Sequence, residues 1–149
     1  MRFPVLMLIC LAAGCQRPAA ALPSAATGPK SPTGWEIRYN ATLALANRGS
    51  PHVTDPEVWD SLLEMLDEDL QLRNFRTKSE NGQETVDETG AYTTVISALQ
   101  AVQELHRRQP KIDLSGLRGP IEKLTHSRNA TVGVQAKQAL LTLFPAKTG

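Results

Sequence analysis

The chain has 149 residues, with 16 Lys and Arg against 15 Asp and Glu, a formal net charge of +1 and 41% hydrophobic residues. That length suits one domain plus a tail, and the near-neutral balance excludes the dominant basic face of a nucleic-acid binder. Its two cysteines, Cys10 and Cys15, both lie near the start, so cysteine metal sites, cysteine nucleophiles and disulfides are excluded from everything after them.

Arg2 precedes an apolar run from Phe3 to Ala13. Eleven residues are too few to cross a bilayer as a helix, which needs about 20. A basic residue, a short apolar stretch and small residues before a cut describe a secretory signal. Leu11-Ala12-Ala13-Gly14-Cys15 resembles the lipobox of bacterial lipoproteins. That family most often has Leu three residues before the cysteine, where this chain has Ala12. The resemblance implies a diacylglyceryl group on Cys15 and cleavage before it by type II signal peptidase. Two acyl chains hold a protein stably to one membrane surface. Gln16, in place of the Asp that favours inner-membrane retention in that family, implies the outer membrane of the cell envelope. The alternative is a plain secretory peptide cut nearby, leaving a secreted or periplasmic soluble protein.

The expected layout is a signal peptide at 1–14, the lipid-anchored cysteine with a linker at 15–32, and a helical domain at 33–149 with a polar insertion at 76–90. Residues 16–32 contain four prolines and many small residues, the composition of a spacer. In extended polyproline-like form they span roughly 50 Å. Thr33 and Glu36 have the spacing of a capping box. The first helix is predicted over about 35–47, with Ile37, Ala41, Ala44 and Leu45 on its buried face, ended by Arg48-Gly49-Ser50-Pro51. Asp55-Pro56 opens the second. Its stripe of Trp59, Leu62, Leu63, Leu66 and Leu70 has amphipathic spacing.

Residues 76–90 are polar and contain Asn81-Gly82, which predicts a loop. The third helix follows over 91–108 with Tyr92, Val95, Leu99, Val102 and Leu105 at helical spacing, and His106-Arg107-Arg108 suit its negative end. Asp113 caps a short fourth helix carrying Leu114, Leu117, Ile121 and Leu124. Asn129 caps the fifth, whose inward residues are Val132, Ala136, Ala139, Leu140 and Leu143. No stretch reads as a β-strand.

Ala41-x-x-Ala44-Leu45 recurs as Ala98-x-x-Ala101-Val102 and as Ala136-x-x-Ala139-Leu140. The copies are 57 and 38 residues apart, and the excess in the first interval roughly matches the stretch 76–90. Ile37 and Val132 stand four places before the first and third copies. Small residues at this spacing let helices approach closely, and repeating the unit builds a core by stacking. Ile37-Arg38-x-x-Ala41-x-x-Ala44-Leu45 and the span 129–143 resemble inner helices of the HEAT-like, armadillo-type family over about residues 35–145. The resemblance implies an all-α fold, a short α-α superhelix of about five helices whose inner helices line a binding surface. The alternative is an orthogonal helix bundle.

His52, His106 and His126 have no metal-ligand partner at i+4, and no metalloprotease, nucleophile-elbow, phosphate-loop or dinucleotide motif occurs. Asp67-Glu68-Asp69 lacks the glycine and spaced oxygens of a calcium loop. No catalytic residue, metal site, cofactor or small-molecule substrate is evident. Acids and bases are unevenly distributed: eleven acids and three bases over 55–88, then eight bases and three acids from Glu104 onward. Of the large aromatics, Trp35 and Phe75 stand near helix ends as candidate partner contacts. The function expected is a non-enzymatic envelope lipoprotein. It contacts an unknown protein partner through helices 35–47, 91–108 and 130–143, with 76–90 at the rim, and the membrane through Cys15. The alternatives are a lyase-like or enzyme-accessory repeat protein and a structural spacer of the envelope.

Overall fold

The computed structural model describes residues 34–78 and 81–145. The signal motif at 11–14, the lipidation site Cys15, the linker 16–32 and the capping residue Thr33 lie outside the described residues.

The described part is mainly helical. Helix α1, Gly34–Arg48, ends at Gly49, whose φ of 67° is the left-handed conformation that glycine adopts without penalty. Ser50 N–H bonds the Leu45 carbonyl and Gly49 N–H the Ala46 carbonyl, the paired closure of a Schellman cap. A 3-10 turn, Pro51–Thr54, leads to α2, Pro56–Met65. Helix α3, Glu68–Asn74, follows after a break. A two-stranded antiparallel hairpin pairs β1, Arg76–Lys78, with β2, Glu84–Val86. Helix α4, Glu88–Arg108, is the longest, about 31 Å at 1.5 Å per residue. A 3-10 turn at Ser115–Leu117 runs into α5, Arg118–Leu124, and α6, Ala130–Leu143, completes the described chain.

Helix α4 is the spine. It packs against α1, α2, α3 and α6, while α5 packs on α6. It can serve several neighbours because its apolar positions extend beyond one stripe. Ala91, Val95, Ala98, Leu99, Val102 and Leu105 are fully buried, and Ala101 with them. Alanine at three of these sites lets neighbouring backbones come close, and Leu and Val fill the space between. Helix α6 buries Val132, Ala136, Ala139 and Leu143 in the same core, with Leu140 half-buried. A Cβ at Gly133 would lie 3.4 Å from the Thr125 carbonyl oxygen, so α6 passes tightly over the end of α5. The indole of Trp59 lies over Gly116 and ties α2 to the second 3-10 turn.

Three expectations are corrected. The buried face of α1 is Tyr39, Thr42 and Ala46, with Trp35, Leu43 and Leu45 partly buried. Ile37 is 58% exposed, and Ala41 and Ala44 are exposed as well. Both faces of α1 carry helical apolar spacing, and the larger, aromatic one won the core because it removes more apolar area from water. The expected second helix is two: Leu66 ends α2 and the Asp67 carboxylate accepts from Leu70 N–H at 3.0 Å, starting α3. The polar stretch expected as a loop contains the hairpin, and α4 starts three residues before 91, where the Asp87 carboxylate accepts from Gly90 N–H.

Both strands are exposed at every position. No alternating apolar pattern marks them. Pairing rests on the ladder, on Thr77 opposite Thr85 with hydroxyls 3.1 Å apart, and on Glu84 near Arg76 and Lys78. Gly82 supplies φ 80° at the turn.

Candidate interaction surface

Trp35 and Phe75, distant in sequence, are in edge-on contact, ring centroids 5.1 Å apart at 60°. Trp35 also meets Tyr39, one helical turn on, at 5.3 Å. Such aromatic pairs contribute about 0.5–1.5 kcal/mol beyond their area burial. Phe75 is positioned from behind: its carbonyl accepts from Asp87 N–H at 2.9 Å at the base of the hairpin, and its ring rests over Gly90. Without a side chain at 90, the ring comes close against the first turn of α4.

These three rings wall a groove of about 240 Å³ between α1 and α4, with Leu43 and Met65 as further apolar lining and Thr93 and Ser97 on the α4 side. A second groove, about 290 Å³, lies between α4 and α6, lined by Glu88, Tyr92, Thr93, Ile96, Asn129 and Thr131 among others. Thr93 is exposed and borders both. The two grooves therefore flank one ridge near the N-terminal end of α4, on the face where α1, α4 and α6 lie side by side.

A polar network stiffens the first groove from below. Gln71 is fully buried. Its Nε2 donates to the Glu64 carbonyl at 2.7 Å and to the Tyr39 hydroxyl at 3.1 Å. Tyr39 donates onward to the Glu64 carboxylate at 3.3 Å, which also accepts from Arg38 at 3.0 Å. The chain of donors fixes the Tyr39 ring, and with it the groove wall. Burial pushes the Tyr39 phenol above its ordinary value, against the lowering effect of the Gln71 hydrogen bond. Gln71 Oε1 is buried without a hydrogen-bond partner among the described residues.

In the second groove, burial raises the Tyr92 phenol first, and the carboxylates of Glu68 and Glu88 add to the rise, with Arg128 opposing them. Other charges are spread over the surface. Asn129 caps α6 through Thr131 and Val132 N–H, and Asp113 accepts from Ser115 N–H at 2.9 Å. His52 lies against Asp55 at 3.2 Å, His126 is exposed and His106 is half-buried. Among the described residues no group of three or more His, Cys, Asp or Glu is arranged to hold a metal ion.

Of the residues singled out in sequence, Trp35 and Phe75 come together at one groove. Ala98, Ala101, Val102, Val132, Ala136, Ala139 and Leu140 pack in or against the core, whereas Ile37, Ala41 and Ala44 face outward. Sequence reasoning missed Tyr39, Met65 and Thr93. The i, i+4 spacing of Trp35 and Tyr39 was the available signal for the aromatic wall; nothing local marked Thr93. Among the described residues no helix is long and apolar enough to cross a membrane. No protein-family model matches this chain, and no curated protein or solved structure matches it either.

Proposed function

We propose that the protein is a non-catalytic interaction module, a HEAT-like helical domain held at the bacterial envelope by a lipidated Cys15. The observation that carries the reading is the layer of α1, α4 and α6 with α4 between the other two, bearing two grooves on either side of Thr93. Helices α2 and α3 lead into α4 and α5 leads into α6, each packing on the helix it precedes. That alternation suits a short superhelix of one half-repeat and two helix pairs. The recurring Ala-x-x-Ala unit falls on the three layer helices, buried on α4 and α6 and exposed on α1. Grooves walled by aromatic side chains and rimmed by hydroxyls suit protein contact.

Site-specific photo-crosslinking of the full chain in cells tests this. A photoreactive residue at Thr93 or at Asn40, which is exposed and lines the first groove, is expected to trap one discrete protein, and one at Glu57 or Glu122 is not. Equal trapping from all four positions, or none from the layer face, removes the reading. The anchor has a separate test: Cys15→Ser abolishes incorporation of labelled palmitate, and label persisting in the variant excludes Cys15 as the site.

A further inference from the structure

Asn81 is the one asparagine of five that is followed by glycine. It stands in the connection 79–83, between the paired Lys78 and Glu84 of the hairpin, and both Asn81 and Gly82 are exposed. Gly82 has φ 80°, and a Cβ there would meet nothing within 4 Å apart from its chain neighbours. Asn81 Oδ1 accepts from Gln83 N–H at 3.2 Å, which folds the carboxamide over the Gly82 residue between them. The other asparagines differ. Asn40, Asn47 and Asn74 lie in helices, where the next N–H is held in a helical hydrogen bond, as Phe75 N–H is by the Gln71 carbonyl. Asn129 Oδ1 also accepts from the N–H two residues on, at Thr131, but Ala130 stands between them.

We infer that Asn81 is a site of spontaneous deamidation in the folded protein. The Gly82 backbone nitrogen attacks Asn81 Cγ, and the new N–C bond closes a five-membered succinimide. The Cγ–Nδ2 bond breaks, and the Gly82 amide proton leaves with Nδ2 as ammonia. Negative charge gathers on Oδ1 during the attack, where Gln83 N–H already donates. Gly82 has no side chain to screen its nitrogen. Water then opens the ring. Opening at Cγ gives aspartate, and opening at the main-chain carbonyl gives isoaspartate. Both put a carboxylate at 81. Isoaspartate also routes the main chain through Cβ and Cγ, one carbon longer, inside the short connection that fixes the Lys78–Glu84 register. The inference is independent of the α1–α4–α6 face as an interaction surface.

The experiment incubates the full chain in mildly alkaline buffer, folded and, in parallel, unfolded in guanidinium chloride. Tryptic peptides are read by mass spectrometry, and isoaspartate by enzymatic methyl transfer to its free α-carboxylate. In the folded chain at least tenfold more product is expected at Asn81 than at Asn40, Asn47, Asn74 or Asn129, at a rate within tenfold of that in denaturant. Gly82→Ala is expected to slow the reaction at least fivefold in both conditions. Alanine is strained at φ 80°, so the comparison in denaturant reads its methyl group without the hairpin. A smaller excess at Asn81, protection by folding of more than tenfold, or slowing by Gly82→Ala of less than fivefold in denaturant overturns the inference.

Discussion

The ring of Phe75 lies so close over Gly90 that a Cβ there would come 2.5 Å from its Cε1 and 2.7 Å from an Asp87 carboxylate oxygen. The absence of one methyl group lets the hairpin base, the α4 cap and the aromatic groove share one point. Gly90→Ala must displace both the ring and the capping carboxylate. Overpacking of this kind costs about 1–3 kcal/mol, which exceeds the gain of about 0.5–1 kcal/mol from replacing a helical glycine. Urea denaturation is expected to show net destabilisation. Near-ultraviolet circular dichroism is expected to change too, because the Trp35–Phe75 contact moves.

Gly49 makes a second close approach, to the side chain of Arg108, in a left-handed conformation. Its carbonyl also accepts from the Gln109 side chain. Gly49→Ala combines a clash with a backbone penalty of about 1–2 kcal/mol, and the melting midpoint is expected to fall. Gly119 is the contrast, with nothing apart from its chain neighbours within 4 Å of a new Cβ and no positive φ. Gly119→Ala is expected to change stability by less than about 1 kcal/mol, because the gain through the unfolded chain is opposed by crowding between the new Cβ and the ring of Pro120 that follows it. Equal effects at 49 and 119 would contradict this account.

Tyr39 and Gln71 predict a pair of unequal effects. Tyr39→Phe removes a hydroxyl that accepts from Gln71 and donates to Glu64, and about 1 kcal/mol is expected to be lost. Gln71→Leu removes a fully buried amide whose Oε1 is unsatisfied, and fills the space with apolar atoms. It is expected to cost less than Gln71→Ala, which leaves a cavity as well. Chemical denaturation of the three variants ranks them.

Glu104 supplies the pH dependence. Arg107 and Arg108, both hydrogen-bonded to it, hold its carboxyl at about 2, below the ordinary 4.5. A folded value below the unfolded one means the contribution is present above pH 4.5 and disappears as pH falls through about 2. Stability measured from pH 5 down to 2 is expected to fall less steeply in Glu104→Gln than in the parent. Parallel curves would show that the cluster contributes nothing to folding, as exposed ion pairs often do.

Much of the helical architecture was legible because it is written locally. Asn129 and the Gly49 stop act over two to five residues, and a capping oxygen needs only its own turn to find a donor; Asp113, expected to cap the fourth helix, instead accepts from Ser115 N–H ahead of the 3-10 turn, and α5 starts at Arg118 without a side-chain cap. The stripe from Leu114 to Leu124 has one apolar face, and all four of its residues are buried. The break between α2 and α3 was harder to read because the apolar spacing of Leu62, Leu66 and Leu70 runs through it. Its signal was Asp67, an N-cap residue opening an acidic first turn. The hairpin left only Asn81-Gly82 as a mark, since strands with both faces in water have no reason to alternate.

By itself the sequence determined a succession of helices with one polar interruption, and with it an all-α class. Those properties depend on residue type and spacing along one segment. Only the tertiary structure decided which of the two apolar faces of α1 is buried, that α4 stands between α1 and α6, and that Trp35, Tyr39 and Phe75 form one wall. Each depends on how much apolar area a face buries against a particular neighbour. That quantity belongs to pairs of helices, and no single stretch of residues contains it.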